Sequence, residues 1–249
     1  MMAFNLICFG GLPRACSTVL LNVLAQNPKF TASPTSSLSS LPFGIVDSIK
    51  GLPFIPDSQK GKEYKVARDA TYTFLADTVT TDIYIDKGRD WIVEYAKTKE
   101  IFPDAKFIVL VRDIRGCFVS CNELSGGKGL ELFNNLVVPS IAPLTETFKN
   151  GTPKDVFLIK AEEFTIHPIK VLNDLYTFLG MDVFEHNLEN IETLVDDPTG
   201  KITKQPDLHK VIETIIPLDN NFNTLLGKST SDFILKRFES FYNIFYTRT

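Results

Sequence analysis

The hydrophobic positions of the chain follow two patterns, short apolar runs and apolar residues at helical spacing. Apolar runs predict strands over Lys29–Ser33, Asp82–Asp86, Lys106–Val111 and Val156–Lys160. Helical spacing predicts helices over Glu63–Thr80, Trp91–Phe102, Ile114–Leu124, Ile166–Leu179 and Ser231–Tyr246, with a helix-rich stretch before Phe148. The opening stretch, Phe4–Gln26, contains a strand, a tight loop and a helix in succession. Strands that alternate with helices predict an α/β fold with a central parallel sheet flanked by helices.

We expect one domain that spans residues 1–249. A chain of 249 residues suits a single large core, and a content of 44% hydrophobic and 22% charged residues is ordinary for a globular protein. The polar stretch Pro34–Ser40 indicates a loop or a helix start, and Leu52–Lys62 indicates an exposed loop. We find no internal repeat or linker that divides the chain.

Charge and cysteine content narrow the function classes. With 26 basic and 30 acidic residues the net charge is −4, so nucleic acid and anionic membranes are not expected partners. The four cysteines form neither a secreted disulfide framework nor a CxxC metal or redox motif. The first apolar run is too short to span a membrane and lacks the flanks of a signal peptide. We therefore expect a cytoplasmic protein with reduced thiols.

The junction between the first strand and the first helix is a candidate anion site. The first N–H groups of a helix lack internal partners, and the positive end of the helix dipole lies behind them. Arg14 adds a planar fork for phosphate or sulfate oxygens, and Ser17 and Thr18 add hydroxyl donors. The alternative is a structural turn that carries a surface arginine.

A second arginine stands at the end of another predicted strand. Arg112 follows Lys106–Val111, with Asp113 as the predicted N-cap of the next helix and Ser120 further along that helix. Because α/β folds bind ligands at the carboxyl ends of their strands, Arg112 and Arg14 are expected to face one cleft. Such a cleft would hold a ligand with two separated anionic groups. The alternative is a surface salt bridge between Arg112 and Asp113.

The chain resembles sulfotransferases that use 3′-phosphoadenosine 5′-phosphosulfate (PAPS), and it is closer to the tyrosylprotein and carbohydrate branches than to the cytosolic steroid enzymes. The stretch Gly11–Thr18 is similar to the phosphosulfate loop of that family, and Phe107–Ser120 is similar to its 3′-phosphate segment. Phe102–Lys106 and Lys160–Gly180 also match family patterns. The resemblance spans about residues 4 to 190, and it implies a P-loop-like strand-loop-helix unit at the N-terminus.

The resemblance also implies the roles of individual residues. The residues expected to bind the cofactor are Arg14, Ala15, Cys16, Ser17, Thr18, Arg112, Ser120 and Lys204. Arg14 and Lys87 are expected to be catalytic, because fixed positive groups stabilise the charge that develops on the leaving phosphate. The alternative for Lys87 is a solvated lysine in a turn. The expected product is 3′,5′-adenosine bisphosphate (PAP), no metal is required, and the acceptor is a hydroxyl or amine on a small molecule, carbohydrate or peptide.

Two positions depart from the family pattern. Cys16 stands where the family loop has glycine, and a positive φ at Cys16 would cost on the order of 1 kcal/mol. The region Ser33–Ser37 contains no carboxylate where the tyrosylprotein branch has its glutamate base. Asp69 and Asp47 are the weak candidates that remain, unless the acceptor is basic enough to react without a base.

Two other functions compete with sulfuryl transfer. A P-loop kinase would use the same strand, loop and helix, although its Gly-Lys-(Ser/Thr) triplet is absent from this loop. A nucleotide-binding protein of the same fold without transferase activity would explain the missing base. The acceptor pocket is expected in the variable segments Pro34–Lys62 and Ser125–Gly151.

Overall fold

The computed structural model describes residues 4–126, 128–199 and 211–246. Their strands form a five-stranded sheet in the order β2-β3-β1-β4-β5, and every neighbouring pair is parallel. The strands are β1 (Asn5–Gly11), β2 (Phe30–Thr35), β3 (Ile83–Lys87), β4 (Lys106–Val111) and β5 (Val156–Lys160). The predicted parallel α/β fold is therefore confirmed.

Helices flank the sheet. They are α1 (Ser17–Leu24), α2 (Ser40–Lys50), α3 (Glu63–Leu75), α4 (Asp90–Val93), α5 (Tyr95–Ile101), α6 (Ile114–Leu124), α7 (Gly129–Leu136), α8 (Val138–Phe148), α9 (Ala161–Ile166), α10 (Pro168–Leu179), α11 (Phe222–Leu226), α12 (Lys228–Arg237) and α13 (Glu239–Phe245), with one short 3-10 turn at Asp57–Gln59. Among these described helices, none is long and apolar enough to cross a membrane.

Four predicted helices have different boundaries in the structure. The first ends at Leu75 rather than near Thr80. The helices predicted over Trp91–Phe102 and Ser231–Tyr246 are each divided into two, near Glu94 and at Phe238. The helix predicted over Ile166–Leu179 begins at Pro168, after a break at His167 that separates it from α9. The break at His167 has a clear cause, because Pro168 lacks the N–H that would continue the preceding helix and instead begins a new one.

Strand β4 is the centre of the hydrophobic core. All residues of Phe107–Val111 have zero exposure, as expected for a strand covered on both faces of a parallel sheet. The cysteines Cys8, Cys117 and Cys121 are buried as free thiols near this strand. Burial raises the pKa of Cys121 to about 11 and raises the pKa of the other two as well. These thiols therefore behave as small hydrophobic side chains.

A polar network joins the C-terminal helices to the start of α6. Asp113 caps α6, since its side chain accepts a hydrogen bond from the backbone N–H of Arg115, as predicted. Tyr242 donates to Asp113 Oδ1 at 2.8 Å. Tyr246 donates to Glu162 Oε2 at 3.1 Å, and Glu162 Oε1 accepts from the backbone N–H of Asp113 at 2.8 Å. This network fixes the carboxyl end of β4, which Arg112 follows, from the side of the C-terminal helices.

The sheet order places β1 between β3 and β4. The chain builds one half of the sheet through β2 and β3, and then crosses β1 to build the other half through β4 and β5. The carboxyl ends of β1, β3 and β4 therefore lie side by side at the point where the strand order changes direction. In open α/β sheets this is the position where ligands bind.

Candidate active site

The loop after β1 begins with a close approach to β4. Gly11 has φ 125°, and a Cβ at this position would lie only 2.0 Å from the carbonyl oxygen of Leu110. The next residue, Leu12, donates its backbone N–H to that same oxygen at 2.8 Å. Only glycine fits at Gly11, and the loop consequently leaves the sheet directly beside β4.

The loop itself contains two residues in the left-handed conformation, Arg14 (φ 68°) and Cys16 (φ 65°). The condition considered for Cys16 is met, since its φ is positive, and a non-glycine residue in this conformation costs about 1 kcal/mol. The positive φ of Arg14 was not predicted. Cys16 precedes α1, and its carbonyl accepts the first helical hydrogen bond from Leu20 at 3.1 Å.

The two predicted arginines lie together, as expected. Arg112 Nη1 donates to the carbonyl oxygen of Arg14 at 2.9 Å, which ties the loop after β1 to the end of β4. Arg112 also packs against α6 at a glycine, because a Cβ on Gly116 would lie 2.8 Å from Arg112 Nε. The alternative of a surface salt bridge between Arg112 and Asp113 is wrong, since Asp113 pairs with Arg115 at 2.6 Å.

Ser120 lies in the same cleft but contacts a different arginine from the one expected. Arg14 Nε donates to Ser120 Oγ at 3.0 Å, so that α6 orients the arginine of the first loop. Burial lowers the pKa of Arg14, and the nearby charge of Arg112 acts in the same direction. The alternative of a surface arginine at the turn is therefore wrong.

Lys87 completes the cluster of basic side chains at the end of β3. Its Nζ donates to Thr18 Oγ1 at 3.2 Å and to Asp197 Oδ2 at 3.0 Å. Only 9% of the Lys87 side chain is exposed, so the alternative of a solvated turn lysine is wrong. Burial lowers the pKa of Lys87, while the charge of Asp197 acts in the opposite direction.

A buried carboxylate lies behind Lys87. Asp86 has zero exposure and accepts hydrogen bonds from Trp91 Nε1 at 2.7 Å and Tyr84 OH at 3.2 Å. Ser33 and Ser36 also donate to it, each at 2.8 Å. Ser33 and Ser36, at the end of β2, thus bind the carboxylate of Asp86 on the neighbouring strand β3. This contact fixes the ends of β2 and β3 relative to each other.

The predicted residues line one cavity of about 620 Å³. Its lining includes Arg14, Cys16, Ser17, Thr18, Lys87, Arg112 and Ser120. Ala15 belongs to the same loop but is fully buried and does not line the cavity. Lys204 lies outside the described residues.

The weak candidates for a general base are not in the cavity. Asp47 forms an ion pair with Lys97, and Asp69 forms one with Lys65, both with exposed carboxylates on other surfaces of the molecule. Within residues 4–126, 128–199 and 211–246, no group of three or more His, Cys, Asp or Glu is placed to hold a metal ion.

The cavity lining also includes residues that were not named individually from the sequence. Thr35 lies in Pro34–Lys62, and Leu132, Asn135 and Leu136 lie in Ser125–Gly151, the two segments where the acceptor pocket is expected. We did not predict Arg89, Thr199 and Ile212, which also line the cavity, or Asp197, which lies beside it on Lys87. Arg89 lies two residues after Lys87 in the chain. The predicted end of the strand Asp82–Asp86 therefore also marks the position of Arg89. Thr199 and Asp197 come from a distant segment with no local pattern that points to the site.

Comparisons with known proteins agree with this geometry. A sequence model described as the sulfotransferase family matches residues 7–186. No curated protein matches the chain by sequence.

Solved structures share the fold at low identity. The sulfotransferase domain from the curacin biosynthetic pathway is 18% identical with a TM-score of 0.54, and the alignment covers 92% of this chain and 99% of that one. The sulfotransferase domain of the olefin synthase from Synechococcus PCC 7002 is 20% identical with a TM-score of 0.55, covering 93% and 96%. Retinol dehydratase, in complex with androsterone and the inactive cofactor PAP, is 12% identical with a TM-score of 0.54, covering 100% and 84%.

Proposed function

The chain belongs to the sulfotransferase family, and from that premise we propose that it transfers a sulfuryl group from PAPS to a hydroxyl or amine acceptor. The observation that carries the proposal is the convergence of Arg14, Lys87 and Arg112 on one cavity at three adjacent strand ends. A nucleotide with phosphate groups at both ends of its ribose has the matching distribution of negative charge.

Each end of the nucleotide has its own set of residues in this proposal. The loop from Arg14 to Thr18 holds the 5′-phosphosulfate with backbone N–H groups and hydroxyls at the start of α1. Arg112 and Ser120 hold the 3′-phosphate at the end of β4. Retinol dehydratase, which shares the fold, is described in complex with PAP, and this supports a nucleotide of that class as the ligand. Lys204 stays a prediction as a further contact to the cofactor.

Catalysis in this site is electrostatic. As the sulfuryl group leaves, negative charge moves to the bridging oxygen of the 5′-phosphate, and positive groups fixed near that oxygen lower the barrier. Arg14 and Lys87 supply these charges. Contacts within the protein orient them, Arg14 through Ser120 and Lys87 through Thr18 and Asp197. The protein therefore has little reorganisation to carry out during the transfer.

The acceptor approaches along the apolar side of the cavity. Leu12, Leu132, Leu136 and Ile212 supply apolar lining to the same cavity as the basic cluster. A small molecule, carbohydrate or peptide acceptor that presents an apolar group beside its nucleophile fits such a lining. The predicted cytoplasmic location of the enzyme stays a prediction.

The direct test is transfer from radiolabelled PAPS to a panel of phenols, sugars, amines and tyrosine peptides, with a chelator present. We expect labelled product and the release of PAP. A matched reaction with labelled ATP and magnesium tests the kinase alternative, for which phosphorylated product would be the positive result. Tight binding of PAP without transfer to any acceptor would favour the alternative of a nucleotide-binding protein.

A further inference from the structure

A segment that follows α10 returns along the helix of the anion loop. We name residues 187–199 the returning segment. Asn22, fully buried on α1, accepts hydrogen bonds from the backbone N–H groups of Leu194 and Val195, both at 2.8 Å. The amide of Asn22 also donates to the carbonyl oxygen of Thr18 at 2.9 Å. One buried side chain therefore links the returning segment to the first turn of the helix that begins the site.

The other end of α1 makes a second attachment to the same segment. Gln26 donates to the carbonyl oxygen of Asn187 at 2.9 Å and accepts from the backbone N–H of Asn187 at 2.8 Å. With attachments at both Asn22 and Gln26, the path of the returning segment is fixed along the helix. Its last described residues therefore lie at the carboxyl ends of β2 and β3.

Asp197 is the residue that reaches the basic cluster. Its Oδ2 accepts from Lys87 Nζ at 3.0 Å, and from the backbone N–H and the hydroxyl of Thr35 at 3.1 and 2.5 Å. Its Oδ1 accepts from the backbone N–H of Thr199 at 3.1 Å. Only 2% of the Asp197 side chain is exposed. This carboxylate is held by donors on two strands and on its own segment, so its position is well defined.

The charges around Lys87 explain why a carboxylate is needed there. Arg14 faces Lys87 from the loop after β1 and lowers its pKa, as does burial. Asp197 faces it from the returning segment and raises that pKa. Asp86 precedes Lys87 on the same strand and is bound by its own four donors. Without Asp197 the buried ammonium would lose its main favourable partner.

Asp197 itself is poorly suited to accept a proton. Burial alone would raise the pKa of this carboxyl, but hydrogen bonds from Thr35 and Thr199 and the charge of Lys87 hold it well below its ordinary value. A general base that works near neutral pH needs a pKa close to that pH. Asp197 is therefore not a general base near neutral pH, and its ion pair with Lys87 is its direct link to the basic cluster.

We propose that Asp197 is a positioning residue for the transfer reaction, whose carboxylate holds the Lys87 ammonium charged and directed at the first turn of α1. Lys87 has three donor hydrogens, and among the described residues Thr18 and Asp197 accept two of them. The third is left for a ligand oxygen in the cavity that Lys87 lines. This inference rests on the proposed function, because that function places the leaving phosphate beside Lys87.

The first test measures the charge on Lys87 directly. The protein is labelled with 13C at the lysine Cε positions, and the Lys87 signal, assigned with Lys87→Arg, is titrated by NMR. In Asp197→Asn we expect the titration midpoint of Lys87 to fall by about one pH unit or more relative to the parent. Asp196→Asn, with the same charge change one residue away at an exposed position, should leave the midpoint unchanged. Asp197→Ser serves the same purpose if the asparagine variant does not fold.

The second test measures PAP affinity by calorimetry between about pH 7 and about pH 9.5. Because Asp197 raises the pKa of Lys87, Asp197→Asn should lose the Lys87 ammonium at a lower pH than the parent does. The variant should therefore lose at least about threefold more affinity than Asp196→Asn as the pH rises. Equal midpoints and parallel affinity curves for the two variants would overturn the inference. Failure of the parent to bind PAP would instead overturn the proposed function, while the NMR result would remain interpretable.

Discussion

Replacing Asp86 with alanine is expected to lower the free energy of unfolding by about 3–5 kcal/mol. The substitution leaves Trp91 Nε1 and Tyr84 OH without their acceptor inside the core, and an unsatisfied buried donor costs about 1–3 kcal/mol. Ser33 and Ser36 lose the same partner, and a cavity opens where the carboxylate was. The loss is large compared with the typical stability of about 5–15 kcal/mol for a domain.

Urea unfolding, followed by circular dichroism, measures this loss. Asp82→Ala is the matched control, because Asp82 is exposed just before the same strand and its removal should change stability by no more than about 0.5 kcal/mol. Ser36→Ala, which removes one donor and keeps the carboxylate, should cost about 1 kcal/mol. A stability of Asp86→Ala within the error of the control would show that the network does not hold the ends of β2 and β3 together.

Replacing Arg14 with alanine is expected to reduce the rate of sulfuryl transfer by about 10²- to 10³-fold. Arg14 supplies the guanidinium of the anion loop, and its hydrogen bond to Ser120 holds it in the cavity. Its removal takes away a fixed positive charge where negative charge develops in the transition state. The fold should tolerate the change, since alanine at this position leaves the contacts of the core intact.

The transfer assay with PAPS measures the effect, and turnover number and KM are determined separately. Arg14→Lys keeps the charge but loses the planar fork, so it should recover only part of the rate. Arg237→Ala, an exposed arginine near the end of α12, is the control and should react like the parent. A loss of less than about tenfold in Arg14→Ala would show that Arg14 is not a catalytic residue.

The fold was predictable where the signal is local. The apolar runs that predict β4 and β5 have the same boundaries in the structure. In β4 the run is apolar from Phe107 to Val111 because the strand is buried on both faces, whereas the edge strand β5 is partly exposed. The end of α10 was also predictable, because glycine is the usual residue in the left-handed conformation after a helix. Gly180 has this conformation, with φ 74°. The breaks near Glu94 and at Phe238 were not, because neither position carries the proline or glycine that usually marks a helix end.

The site was predictable in the parts that belong to strand ends. Arg14, Lys87 and Arg112 each follow an apolar run, and parallel strands bring their carboxyl ends together. Asp197 could not be found this way, because its contacts to Lys87 and Thr35 span 110 and 162 positions of the chain. A polar contact between distant segments leaves no periodic pattern in the sequence. The partners of Asp86 were missed for the same reason, although the unusual serine content of Ser33–Ser37 marked the place.

The central claim is that the cavity recognises a nucleotide with phosphates at both ends of its ribose. Calorimetric titration with PAP and with 5′-AMP, which lacks the 3′-phosphate, tests it on the parent and on Arg112→Ala. The parent should bind PAP more tightly than 5′-AMP by roughly 2 kcal/mol or more, a factor of about 30. In Arg112→Ala this preference should largely disappear, because PAP loses more affinity than 5′-AMP does. Failure of the parent to bind PAP, or a preference for PAP that survives in Arg112→Ala, would contradict the account.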